Sequence, residues 1–102
     1  MKVFLVCLIL CSFLNNSSSS NLDKINFKIS NLHNLIQQER ESCVNIILYF
    51  FKRAHTYNPK INALINFNPR ALDDAIRLDE YFRQNKSLIG SLHCIPTLIK
   101  DN

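Results

Sequence analysis

One apolar stripe, carried by residues 43–56, most constrains what this chain can fold into. Its members recur at spacings of three and four residues: Cys43, Ile46, Ile47, Phe50, Phe51 and Ala54. That spacing places them on one face of an α-helix, which must be buried against other apolar surface. We therefore predict an amphipathic helix that is capped by Ser42. We predict its end at Asn58-Pro59, because a residue before proline avoids the helical region.

Two further helices flank the stripe. The first follows Ser30 as its cap, and its apolar face consists of Leu32, Leu35 and Ile36. The other starts at Asn68-Pro69, where asparagine caps the helix and proline occupies its first position. Its apolar face runs from Ala71 to Phe82. The sequence thus predicts three amphipathic helices.

Two short segments have the patterns of strands. Between Ile61 and Phe67, apolar residues alternate with mostly polar ones, which predicts a strand. Residues 92–99 form an apolar run that Pro96 interrupts, which we interpret as a second strand. Three helices and two lone strands cannot bury their faces in residues 21–102 without a sheet to join. We therefore expect the N-terminal piece of a larger α/β protein, with helices leading into strands.

The first twenty residues have the pattern of a targeting segment. Lys2 precedes an apolar run over residues 3–14, and small polar residues follow it up to Ser20. We predict a signal peptide over residues 1–20 and therefore secretion or residence in the secretory lumen. An uncleaved membrane anchor is the alternative. The apolar run is too short to span a bilayer comfortably, so we expect no stable membrane span.

Charge and cysteine content limit the partners. The chain has 12 basic and 8 acidic residues, and this small, scattered excess does not predict a nucleic-acid partner. Without the leader, Cys43 and Cys94 remain, and they could form a disulfide in an oxidising compartment or stay as buried thiols. The His and Cys spacings do not match a zinc motif, and we expect no metal or cofactor. Asn85-Lys86-Ser87 is a possible N-glycosylation sequon.

The last thirteen residues carry the most specific motif. Residues 90–102 read GSLHCIPTLIKDN, which resembles the first conserved block of the amidase signature family, G-x-L-x-G-I-P-x-x-x-K-D-N. Upstream, residues 58–65 resemble the "NP-x-hydrophobic-N-A" strand of that family. Residues 68–79 resemble its helix rich in Ala and Asp. The resemblance covers roughly residues 27–102.

The resemblance implies a large α/β fold with a mixed central sheet, and hydrolysis of an amide or transfer of an amide nitrogen. In the family a Ser–cis-Ser–Lys triad carries this chemistry on a small-molecule amide. Lys100 matches the triad lysine, and Asp101 and Asn102 would support the site through hydrogen bonds. The two serines lie in a Gly/Ser-rich region downstream of this block, which this chain lacks. We therefore expect residues 21–102 to be an incomplete amidase domain that is inactive alone.

The chemistry explains why a lysine follows an apolar run. A serine hydroxyl is a poor nucleophile until a base takes its proton. Lysine is a base only when neutral, and a dry, apolar environment without a nearby anion favours that form. Cys94, however, stands where the family has glycine, which suggests close backbone approach or unusual dihedral angles there. A side chain at a strained position costs about 1–3 kcal/mol, and this departure bears directly on activity.

A function of another class is also open. The same three helices could form a small secreted interaction protein with no catalytic activity, whose exposed apolar faces bind a partner. Such a protein should be soluble and ordered when it is expressed alone. An incomplete domain should instead aggregate or bind apolar dyes.

Overall fold

A computed structural model describes residues 22–100. Three α-helices lie in this range: α1 spans Ile29–Gln37, α2 spans Cys43–Ile61 and α3 spans Ala71–Asn85. The predicted signal peptide over residues 1–20 lies outside the described residues, as do Asp101 and Asn102. No helix in the described range has the length and apolar character needed to cross a bilayer.

The predicted α/β fold is wrong for this part of the chain, because residues 22–100 contain no strand and no sheet. Ile61 closes α2, residues 62–67 are irregular, and residues 91–94 form a turn that leads into an irregular segment. Alternation of apolar and polar residues makes a strand only where a neighbour takes up its backbone groups. Here the side chain of Asn58 does so locally: its Oδ1 accepts the Leu64 N–H at 2.8 Å and its Nδ2 donates to the Leu64 carbonyl at 2.9 Å.

The helix that carries the apolar stripe is confirmed, but it ends later than predicted. Pro59 lies inside α2, and the helix is capped by Asn62, whose φ of 49° is left-handed. The Asn62 N–H donates to the Asn58 carbonyl at 2.7 Å. Pro59 has no N–H and so removes one hydrogen bond near the end of α2, while asparagine tolerates the left-handed conformation that closes a helix. The Asn58-Pro59 motif therefore precedes the helix end rather than marking it.

The other two helices are confirmed with shifted starts. Leu32, Leu35 and Ile36 of α1 are buried, as their spacing predicts. The predicted Ser30 cap is wrong: α1 begins at Ile29 after Lys28, so Ser30 lies inside the helix. α3 begins at Ala71 rather than at Pro69, after a turn in which Asn68 Oδ1 accepts the Arg70 N–H at 3.0 Å. The predicted asparagine cap thus acts on the turn just before the helix.

The core lies where α1, the N-terminal half of α2, α3 and the turn at residues 91–94 meet. Its buried apolar members are Leu22, Leu32, Leu35, Ile36, Cys43, Ile46, Ala75 and Cys94. Only the start of the apolar stripe is fully buried, whereas Phe50, Phe51 and Ala54 are half-buried. The C-terminal half of α2 consequently presents apolar surface that the described residues cover only in part.

Candidate functional site

The lysine that the motif singles out lies at the end of an exposed segment. We call residues 95–100 the terminal segment; it has no regular structure, and Lys100 is exposed. Leu98 is 82% exposed and Ile99 93% exposed. The described residues therefore do not provide the dry environment that a base lysine requires. The roles of Lys100, Asp101 and Asn102 remain predictions.

The turn before the terminal segment is well anchored. The His93 N–H donates to the Gly90 carbonyl at 3.2 Å, and the Ile95 N–H donates to the Leu92 carbonyl at 3.0 Å. His93 and Cys94 are both buried. The path of the chain toward Lys100 is thus set at this turn.

Cys43 and Cys94 are joined by a disulfide. Their Cα atoms are 5.1 Å apart, within the range that disulfides span, although 51 positions separate them in sequence. Of the two alternatives that the sequence leaves open, the structure shows the paired one. The disulfide ties the first residue of α2 to the turn that precedes the terminal segment.

Cys94 has a backbone conformation that favours glycine. Its φ is 60°, in the left-handed region. For an L-residue with a side chain this conformation costs roughly 1–2 kcal/mol. The unusual dihedral angle that the family glycine suggests is therefore present here, with a cysteine in its place.

His93 lies beside the disulfide and is held from three directions. Its Nδ1 accepts the Ile89 N–H at 3.2 Å, which in the neutral ring assigns the proton to Nε2. Nε2 lies 3.6 Å from Cys43 Sγ, and His33 Nε2 donates to the His93 carbonyl at 2.9 Å. Burial lowers the pKa of His93, and nearby His33 lowers it further, while Asp79 opposes this shift. His93 is therefore held neutral more readily than a free histidine.

The same group has the spacing of metal ligands. Ligand atoms of Cys43, His93 and Cys94 lie within 4.8 Å of one another. Zinc binds thiolates and unprotonated ring nitrogens. With the sulfurs joined to each other and the proton on Nε2 of the histidine, this cluster presents no such donor. The sequence does not reveal the cluster, since its members come together only when the turn packs against the start of α2.

A carboxylate from α3 completes the start of α2. Asp79 accepts the N–H groups of Cys43 at 2.7 Å and Val44 at 3.1 Å. The Ser42 hydroxyl, as predicted from its position, accepts the Asn45 N–H at 3.1 Å. Both side chains satisfy donors that the first turn of a helix leaves unpaired. The sequence places Asp79 on α3 but does not indicate this role.

An open apolar groove lies beside the terminal segment. It has a volume of about 880 Å³, and it is lined by residues of α2, α3 and the segments around residues 63–68 and 92–98. Phe50, Tyr57, Leu78 and Leu98 are among its walls. The predicted glycosylation residue Asn85 lies elsewhere, exposed at the last position of α3.

Comparison with known proteins gives the family context. The sequence profile of the family described as Amidase matches residues 45–102. The chain is 32% identical over 72 residues to a putative amidase of Schizosaccharomyces pombe, a match that covers 70% of the chain. It is 39% identical over 59 residues to an acetamidase of Aspergillus oryzae, covering 57% of the chain. A second putative amidase of Schizosaccharomyces pombe is 32% identical over 74 residues, covering 72% of the chain.

These relatives are much longer than the chain. The matched regions span 14% and 12% of the two Schizosaccharomyces pombe proteins and 11% of the acetamidase. No solved structure matches the chain. The similarity is thus confined to one short portion of each relative.

Proposed function

Because this chain belongs to the amidase family, we propose that it supplies the N-terminal part of an amidase-signature hydrolase. In this proposal Lys100 is the base of the Ser–cis-Ser–Lys triad, and Asp101 and Asn102 support it through hydrogen bonds. The substrate is a small-molecule amide. The observation that carries the proposal is the motif at residues 90–102, which lies inside the region that the family profile matches.

Exposed apolar surface supports a role within a larger domain. Leu98 and Ile99 precede Lys100 and are almost fully exposed, and Ile65 is 88% exposed. The groove beside the terminal segment is open and mostly apolar. An apolar groove together with highly exposed apolar side chains is typical of an interaction site. We propose that further amidase residues, which carry the two serines, cover this surface and bury Lys100.

A chimera tests this role. Residues 43–102, which contain both cysteines and the region that the family profile matches, replace the corresponding portion of the Aspergillus oryzae acetamidase, and hydrolysis of acetamide is measured by ammonia release. We expect the chimera to be active and the Lys100→Ala chimera to lose activity by at least about a thousandfold, as removal of a triad member does. Lys52→Ala, at an exposed position of α2, is the matched control. An active chimera that keeps its rate after Lys100→Ala would overturn the proposed role.

The chain by itself should be inactive. We expect the 102-residue protein to release no ammonia from small aliphatic, aromatic or fatty-acid amides above the buffer rate. The reason is chemical: a base without its nucleophile has no hydroxyl to activate. Hydrolysis by the isolated chain that Lys100→Ala abolishes would show that a nucleophile outside the family pattern is present.

The exposed groove also favours the second candidate, a small secreted helical interaction protein without catalytic activity. The two candidates differ in how the isolated chain behaves. An incomplete domain should bind an apolar dye and aggregate as its concentration rises, because its groove is uncovered. A self-sufficient interaction protein should stay a compact monomer at every concentration. Hydrodynamic size and dye fluorescence of the purified chain separate these outcomes.

A further inference from the structure

We propose that the Cys43–Cys94 disulfide positions the terminal segment, and with it Lys100, by holding residue 94 in a left-handed conformation that only glycine adopts without strain. The proposal rests on the proposed function in one respect only, the role of Lys100. Its structural content is independent of that role: two cysteines act together as positioning residues for a segment that neither belongs to.

The disulfide is anchored at the start of α2. Cys43 is completely buried, and its N–H is held by the Asp79 carboxylate. It is the first residue of a helix of 19 residues, the longest in the described range. A sulfur attached at this point is therefore fixed relative to both α2 and α3.

The part that must be held is residue 94. A residue with a Cβ at φ 60° is less stable than in the right-handed or extended regions. Rotation about φ of Cys94 would swing everything that follows, including Lys100 at the end of the terminal segment. A bond from Cys94 to the fixed start of α2 opposes that rotation. A chain with glycine at this position would need no such bond, since glycine adopts positive φ without a steric penalty.

His93 reinforces the same connection. Its ring bridges the Ile89 N–H and the Cys43 sulfur, and its carbonyl accepts from His33 on α1. The turn is thus joined to α1 as well as to α2.

Reduction of the disulfide proceeds by thiol exchange. When a dithiol reductant opens the disulfide, one of its thiolates attacks Cys94 Sγ and the bonding electron pair leaves on Cys43 Sγ. His93 Nε2–H, which lies 3.6 Å from Cys43 Sγ, stabilises that thiolate. The second thiolate of the reductant then displaces Cys94, and the reductant closes to a cyclic disulfide.

Two variants that differ by one methyl group test the proposal. Cys94→Ala and Cys94→Gly both lack the disulfide and both keep Cys43, but only glycine accepts φ 60° without strain. The readout is amide hydrogen exchange at Ile95, whose N–H donates to Leu92 within the turn. We expect exchange in Cys94→Ala to be about tenfold faster than in Cys94→Gly, as the left-handed penalty implies. The oxidised wild type should exchange more slowly than either.

Reduction of the unmodified 102-residue chain provides a test that needs no variant. A dithiol should accelerate exchange at Ile95, whereas amides of α3 distant from the turn should keep their rates. Peptide mapping after thiol alkylation should find Cys43 and Cys94 alkylated only after reduction. Equal exchange in Cys94→Ala and Cys94→Gly, or alkylation of both cysteines without reduction, would overturn the proposal.

These measurements separate the two proposals. Neither exchange nor alkylation depends on amide hydrolysis, so the positioning role can fail while the amidase role of Lys100 stands. Conversely, the Lys100→Ala chimera could keep full activity, which would overturn the amidase role of Lys100, while the disulfide still holds the turn. In an active chimera, Cys94→Gly should retain more activity than Cys94→Ala. A reversed order would contradict the positioning role.

Discussion

The Asp79 carboxylate on α3 accepts the backbone N–H of Cys43, the first residue of α2, at 2.7 Å. Its second oxygen accepts the Val44 N–H at 3.1 Å. One side chain thus caps a helix that begins 36 positions earlier in the sequence, and it does so at the residue that carries the disulfide. The acidic helix that resembles the amidase pattern therefore has a structural role at this position.

Removal of this carboxylate should destabilise the chain. Hydrogen bonds to a charged group contribute about 1.5–3 kcal/mol, and Asp79→Ala leaves two backbone donors without their acceptor. We expect the free energy of unfolding to fall by about 2 kcal/mol, and by less in Asp79→Asn, which keeps one oxygen. Urea denaturation measures both. Asp73→Ala, in the exposed first turn of α3, is the control. A loss no larger than that of the control would contradict the capping role.

The asparagine that ends α2 provides a second test. Asn62 has a φ of 49° and occupies the cap position. Asn62→Ala places a residue that avoids the left-handed region there, and we expect a loss of about 1 kcal/mol. Asn62→Gly should be neutral or stabilising, because glycine is the preferred residue at this position. The same denaturation assay measures both variants. Equal stability of the alanine and glycine variants would show that the left-handed cap does not form.

The neutral state of His93 makes stability depend on pH. Burial and nearby His33 lower the pKa of His93, with Asp79 opposing them. In the unfolded chain the group titrates near its ordinary pKa of about 6.5. Below that pH the unfolded chain therefore binds the proton more readily, so the contribution of His93 is complete above about pH 6.5 and is lost as the pH falls. The free energy of unfolding should decrease on acidification from about pH 7 to about pH 5.

A matched variant isolates this contribution. His93→Gln cannot titrate but retains an oxygen that can accept from the Ile89 N–H. The pH dependence over the same acidic range should be shallower in His93→Gln than in the wild type. His33→Gln controls for the neighbouring ring. An unchanged slope in His93→Gln would assign the acid sensitivity to other groups.

The three helices could be predicted because their apolar spacing is a local property. Leu32, Leu35 and Ile36 are buried on one face of α1, and Cys43 and Ile46 begin the buried face of α2. The strand predicted from Ile61 to Phe67 was wrong because alternation does not provide a pairing partner. The side chain of Asn58 takes up the backbone of Leu64 instead.

The site could be predicted only where a motif constrained the backbone. Glycine in the family block pointed to unusual dihedral angles at Cys94, and the structure has them. The contacts among Cys43, Asp79 and His93 could not be foreseen, since those of Cys43 join residues at least 36 positions apart. Such contacts depend on how helices pack, which spacing within one segment does not determine.

The position of Asn85 allows a test of the proposed secretory route. Asn85 is exposed at the last residue of α3, and its Nδ2 donates to the Tyr81 carbonyl at 2.9 Å. Lys86 follows in a left-handed conformation that ends the helix, so the sequon lies at a surface turn. Glycan transfer needs an accessible acceptor of this kind.

Expression of the 102-residue chain in a eukaryotic secretory host should give a protein that lacks residues 1–20 and carries one glycan at Asn85. Asn85→Gln and Ser87→Ala should each remove the glycan, whereas Ser91→Ala, outside the sequon, should not. Intact mass measures leader removal and glycan addition together. Retention of the leader and the absence of glycan in the wild type would contradict the secretory route and leave the amidase proposal unaffected.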